Sequence, residues 1–157
     1  MEKPLFIDLL CALLAIILLW AAVVDIRTRR IANSLNLTIA LMAPLFWWAT
    51  GIDLWPEAGI RIGVAVAVFL LFALAFQIGV MGGGDVKLAA ALALWFPPGA
   101  TLFLIVIMSL AGGVLTMIVI IEHKIKKNQG RPEVPYGVAI AFGGLWLLAQ
   151  RFLNHFA

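Results

Sequence analysis

Long apolar runs, each ended by a short cluster of charged, glycine or proline residues, follow one another along the chain. Leu5 to Val24 gives about 20 residues, apolar but for Asp8 near its start. At about 1.5 Å per helical residue that length crosses a hydrocarbon core of about 30 Å. The run ends at Asp25, and Asp25 to Asn33 is a short basic loop before a second run from about Ser34 to Thr50. Gly51 to Gly59, with Asp53, Pro56 and Glu57, reads as an acidic turn, and a third run extends from about Ile60 to Gly79. After Met81-Gly82-Gly83-Gly84-Asp85 comes Val86 to Phe96, only 11 residues before Pro97-Pro98-Gly99. Such a helix reaches roughly 16 Å, half a bilayer, so it is short, tilted or set within the bundle. Ala100 to Ile121 is a fifth run, in which Gly112-Gly113 offers a small face for close helix packing. A second basic loop, Glu122 to Val134, precedes a sixth run opened by Pro135-Tyr136-Gly137 and ending near Phe152. The pattern predicts an all-α polytopic membrane protein with about six transmembrane helices, the fourth of them short.

Composition agrees, since 64% of the 157 residues are hydrophobic and 12% charged, against about 45–50% and about 25% in soluble domains. One transmembrane domain over residues 1–157 is expected, with the lipid bilayer as its surroundings and no nucleic-acid partner. The first run enters Asp25 without a convincing cleavage site and is read as a span rather than a signal peptide. Alternating spans put the segments 25–33, 79–87 and 122–134 on one side. They carry Arg27, Arg29, Arg30, Lys87, Lys124, Lys126, Lys127 and Arg131, eight of the eleven basic residues. By the positive-inside rule these segments face the cytoplasm and both termini lie outside.

Asp25, Asp85 and Pro135-Tyr136-Gly137 then gather at one membrane boundary. A carboxylate in such a place is costly unless it is paired, solvated or functional. The glycines before Asp85 let the chain turn tightly and let a second backbone approach, although Asp85 can also be read as a plain helix cap. Two carboxylates facing one cavity can share a proton, because repulsion disfavours ionising both. The ionised one can take a proton from water attacking a peptide carbonyl, while the protonated one polarises that carbonyl, with no metal or cofactor. The competing reading is a small transporter, channel or assembly subunit using Asp25 and Asp85 for protons or cations. Ionisable groups near mid-membrane would suit it, whereas these candidates lie at one face.

Asp25-Ile26-Arg27 followed by Ile31-Ala32-Asn33 resembles the D-x-R/K…I-P-N segment of type IV prepilin peptidases. Gly82-Gly83-Gly84-Asp85-Val86-Lys87-Leu88 is similar to their G-x-G-D-x-K-L motif, and Pro135-Tyr136-Gly137 to their later P-Y/F-G/A element. The resemblance implies an aspartic endopeptidase of the inner membrane with Asp25 and Asp85 as the catalytic pair. Its substrates would be pilin-like precursors, cut at the cytoplasmic face between a short basic leader and the apolar pilin helix. Ala32 stands where that family usually has proline. Longer members carry a zinc-binding Cys-x-x-Cys insertion associated with methylation; with Cys11 as its single cysteine, this chain looks like the short form of tight-adherence (Flp) pilus systems, peptidase without methyltransferase.

Other residues carry weaker expectations. By its place in the motif that resembles the family's, Arg27 is expected nearer the site than Arg29 and Arg30, which read as membrane anchors. Asn33 and Asn36 read as caps or as supports for the Asp25 loop. Lys87, two residues after Asp85 and so on another helical face, steadies a neighbouring carboxylate or snorkels. Gln77 is a candidate cleft or interhelical group, Glu122 and Glu133 are solvated loop charges or receivers of a basic leader, and Trp47, Trp48 and Trp55 are outer-boundary anchors. His123 and His155 lack the spacing of a metal-binding pair, so no metal site is expected.

Overall fold

The computed structural model describes residues 3–126 and 133–155. It is all helical: α1 Lys3–Thr28, α2 Asn33–Thr50, α3 Gly59–Gln77, α4 Gly83–Ala93, α5 Pro98–Ile125 and α6 Tyr136–His155. A wide turn at Leu54–Ala58, in which Trp55 is extended, leads into α3. Among the described residues, four helices are long and apolar enough to cross a membrane: α1, α3 with its leading turn, α5 and α6. Of the other two, α2 carries Asn33, Ser34 and Asn36 at its start, and α4 has only 11 residues.

Several boundaries differ from those the apolar runs suggest. Asp25 lies inside α1 rather than in a loop, because the helix continues to Thr28. The reversal follows at Arg29, whose φ of 55° is left-handed, with the Thr28 hydroxyl donating to the Val24 carbonyl at 2.9 Å. Gly83 and Gly84 are not loop either: Gly82 precedes α4, and the other two form its first turn. The loop is instead Ile78 to Gly82, where Gly79 has φ 74°.

The short α4 is central, packed against α2, α3 and α6. Its buried face, Leu88, Ala89, Leu92 and Ala93, meets Ile39, Ala43 and Phe46 of α2 and Leu14 and Leu18 of α1 in one core. Gly144 of α6 completes the contact, since a Cβ there would lie 2.9 Å from Leu18 and 3.2 Å from Leu92. Large apolar side chains elsewhere point outward, among them Trp48, Leu70, Phe103 and Met117. That is the inverse of a soluble surface and suits lipid contact.

Ending a helix half-way across a bilayer leaves carbonyls that lipid cannot satisfy. Side chains fill the gap here. Trp47 Nε1 donates to the Leu94 carbonyl at 2.8 Å and Arg61 Nη1 to the Trp95 carbonyl at 2.8 Å. Trp95 Nε1 in turn donates to the Ile39 carbonyl at 2.9 Å, in the stretch of α2 that Pro44 loosens. Trp47 is thus an inward-facing tie rather than an interfacial anchor, whereas Trp48 and Trp55 are exposed.

Candidate active site

Both aspartates are buried, Asp25 with 3% of its surface exposed and Asp85 with 8%. They line one cavity of about 670 Å³ at the end of the bundle where α1 and α3 finish and α4 and α6 begin. Their charges act on one another. No apolar packing reason exists for two carboxylates here, and burying them costs free energy unless each has partners.

The helix starts supply those partners. Asp25 Oδ2 accepts the Val138 N–H at 3.2 Å, across 113 residues of sequence, and the Gly137 N–H also points to this carboxylate. The free N–H groups and positive end of α6 therefore meet the negative charge. Gly137 must be small: a Cβ there would sit 2.8 Å from Asp25 Oδ2 and 2.5 Å from Ile31 Cδ1. Asp85 occupies the first turn of α4 and folds back over Gly82, whose N–H it accepts, as a third-position acid does in a capping box. A Cβ on Gly82 would come within 2.8 Å of that carboxylate.

Gly84 does a different job. Its missing side chain lets α4 lie against the turn between α1 and α2, where a Cβ would be 3.1 Å from both Ile31 Cβ and the Ile31 carbonyl oxygen. Asn36 fixes the same junction by donating to the Gly84 carbonyl at 3.0 Å. A Cβ on Gly83 would make only ordinary contact with the Phe76 ring.

Arg29 and Arg30 line the cavity with Thr28, and Glu133, Val134 and Tyr136 face it from the other side. Arg27 is exposed and is not on its wall. Two residues along a helix turn the side chain through roughly 200°, away from Asp25, while Thr28 and Arg29, three and four residues on, return to its face. That spacing was the available signal for Arg29. Lys87 and Asn33 also lie off this cavity; they bond to each other, Nζ to Oδ1 at 2.8 Å, and line an apolar groove between α2, α3 and α4. Gln77 is exposed and outside the wall. Glu122 pairs with Lys126.

Pro135 is buried just ahead of α6, and its carbonyl accepts the Val138 N–H at 3.2 Å, so that N–H is shared with Asp25. Tyr136 presents its ring to Gly112 of α5, where a Cβ would lie 2.9 Å from it, and its hydroxyl is 3.4 Å from Thr116 Oγ1. Gly113 has open space beside it. Lys127 and Arg131 lie outside the described residues. Among the described residues no group of three histidine, cysteine, aspartate or glutamate side chains is placed to hold a metal ion.

A buried carboxylate pair, one member held by the start of α6 and the other by the start of α4, beside a cavity open to one end, suits activation of water against a carbonyl. No curated protein and no solved structure gave a match to the chain. The family model of type IV leader peptidases matches residues 12–117, which include both aspartates and the glycines before Asp85 and stop short of Tyr136. That match covers well over half the chain, and the protein belongs to the type IV leader peptidase family.

Proposed function

We propose that this leader peptidase is an aspartic endopeptidase in which Asp25 and Asp85 are the catalytic pair. Its substrates are pilin-like precursors of the Flp type, cut at the cytoplasmic face of the inner membrane between a short basic leader and an apolar helix. The observation that carries the proposal is the meeting of Asp25 and Asp85, sixty residues apart in sequence, in one cavity. The basic loops at that end of the bundle support the cytoplasmic orientation, with both termini outside.

In this reading Asp25 is the base. Two backbone N–H groups, of Gly137 and Val138, face its carboxylate against one, of Gly82, at Asp85, so it takes a proton from a water molecule whose oxygen then bonds to the scissile carbonyl carbon. Asp85 holds the shared proton and gives it to the carbonyl oxygen, leaving a neutral tetrahedral diol. Collapse breaks the C–N bond as Asp25 returns a proton to the nitrogen and Asp85 recovers its own from a hydroxyl. The products are a carboxylic acid and an amine, with one water consumed. Gly82 leaves room beside Asp85 for the substrate backbone, and Glu133 on the wall offers a basic leader a carboxylate partner.

The test is co-expression with a tagged pilin precursor, following the size shift on leader removal. Wild type, Asp25→Asn and Asp85→Asn are compared at matched membrane levels. Cleavage by wild type and loss in each variant, at unchanged folding, is the expected result. If both variants still cleave, the two-aspartate assignment is wrong; if wild type leaves several such precursors whole, the substrate assignment is wrong.

A further inference from the structure

A second cavity, about 430 Å³, lies toward the opposite end of the bundle, in the space left where α4 stops short. Its walls are mostly aromatic and aliphatic: Phe46, Trp95, Phe96, Leu147 and Leu148. Two guanidiniums enter it from different helices, Arg61 near the start of α3 and Arg151 near the end of α6. Arg61 gives one N–H to the Trp95 carbonyl, and Arg151 lies over the Phe46 ring with its Cζ 5.0 Å from the centroid. Among the described residues no carboxylate lines this cavity, and the one ion pair is Lys126 with Glu122, at the other end of the bundle. Glu57 stands one turn before Arg61 and acts on it from a distance without lining the cavity.

This arrangement needs an explanation. Each arginine brings five N–H donors in a planar fork; among the described residues neither has a carboxylate partner, and one Arg61 N–H goes to the Trp95 carbonyl. Two like charges at one partly apolar cavity repel; Arg61 is half-buried, and Arg151 is exposed near the end of its helix. They also run against the charge bias of the chain, which gathers its cations at the aspartate end.

We propose that Arg61 and Arg151 together form a binding site for a phosphate oxyanion, that of an anionic phospholipid headgroup or free phosphate. Guanidinium forks match phosphate oxygens bidentately, and the ligand relieves the repulsion between the two cations. The apolar wall and the exposed lipid-facing surface beside it offer an acyl chain a path that a free ion would not use. Few contacts join α3 directly to α6, so the bound anion ties together two helices that the core leaves apart. Its effect is on stability, away from the aspartates.

The experiment measures thermal unfolding of the full chain in neutral detergent by tryptophan fluorescence. The probes are phosphatidylglycerol, phosphatidylcholine, and inorganic phosphate without lipid; native mass spectrometry counts lipid retained. A rise in Tm with phosphatidylglycerol and not with phosphatidylcholine or inorganic phosphate identifies the headgroup. An equal rise with inorganic phosphate identifies the free ion, and the site stands. In either case Arg61→Gln and Arg151→Gln should each weaken the protecting anion about tenfold, as loss of one charge-assisted contact does, while Lys124→Gln at the other end has no effect. Arg151→Lys, should Arg151→Gln fail to fold, keeps the charge without the fork and should give a partial loss. The proposal is overturned if no anion protects, or if Arg61→Gln and Arg151→Lys are protected as wild type is.

Discussion

Replacing Gly137 with alanine tests whether the start of α6 sets the position of Asp25. The new methyl would lie 2.8 Å from Asp25 Oδ2 and 3.0 Å from its Cγ, whereas ordinary contact begins near 3.4 Å. The Ile31 methyl on the other side is the end of a flexible chain and can rotate away. The carboxylate is held by the Val138 N–H, so it yields by moving about 0.6 Å and stretching that bond. Misplacement by about 1 Å typically costs about a hundredfold, and this shift should therefore lower kcat by roughly 10- to 100-fold, or about 1.4 to 2.7 kcal/mol. Folding should survive, because alanine is favoured over glycine in a helix by about 0.5–1 kcal/mol. Initial rates of precursor cleavage and Tm would be measured for Gly137→Ala beside Gly113→Ala, which meets open space. Wild-type kcat in a folded Gly137→Ala protein, or an equal loss in Gly113→Ala, would refute the reasoning.

Asn36→Leu should lose the bond to the Gly84 carbonyl, worth about 1 kcal/mol, yet also remove a buried Asn36 Oδ1 that has no partner. Tm should therefore change little while cleavage falls as α4 loses its register; a Tm drop of many degrees would show the accounting to be wrong. Gly84→Ala pushes against the Ile31 backbone, which cannot rotate away, so it should cost about 1–3 kcal/mol of stability, read as a lower denaturation midpoint. The rate of cleavage should show a bell-shaped pH profile, falling on the acid side when the base gains a proton and on the alkaline side when the acid loses one. The two limbs belong to the pair rather than to single residues, and a rate flat from acid to alkaline pH would exclude such a pair.

Much of this was legible in the sequence where one residue type carries a large free energy. A buried carboxylate is expensive wherever it occurs, so Asp25 and Asp85 stood out of their apolar surroundings, and Pro97-Pro98 announced a helix too short to span. Boundaries were less legible because an apolar run ends at the first charge while a helix does not. Asp25 belongs to α1 by its backbone, and reading it as loop hid the helical spacing that turns Arg27 away and brings Arg29 back. Glycines looked like loop for a similar reason: nothing local distinguishes Gly84 at a turn from Gly84 beneath the Ile31 backbone. Contacts such as Asn36 with Gly84, or Trp47 with Leu94, join distant segments and depend on packing that no local pattern encodes.

The bond between Val138 and Asp25 also orders events during synthesis. Asp25 leaves the ribosome 113 residues before the N–H that orients it, an interval of roughly 6–20 s at ordinary elongation rates. A nascent chain halted before α6 already contains both carboxylates and the glycines beside Asp85, yet Asp25 has no donor to set its direction. The geometry of the aspartate pair is thus complete only once α6 is in place, and a partly inserted molecule holds Asp25 without the helix start that orients it.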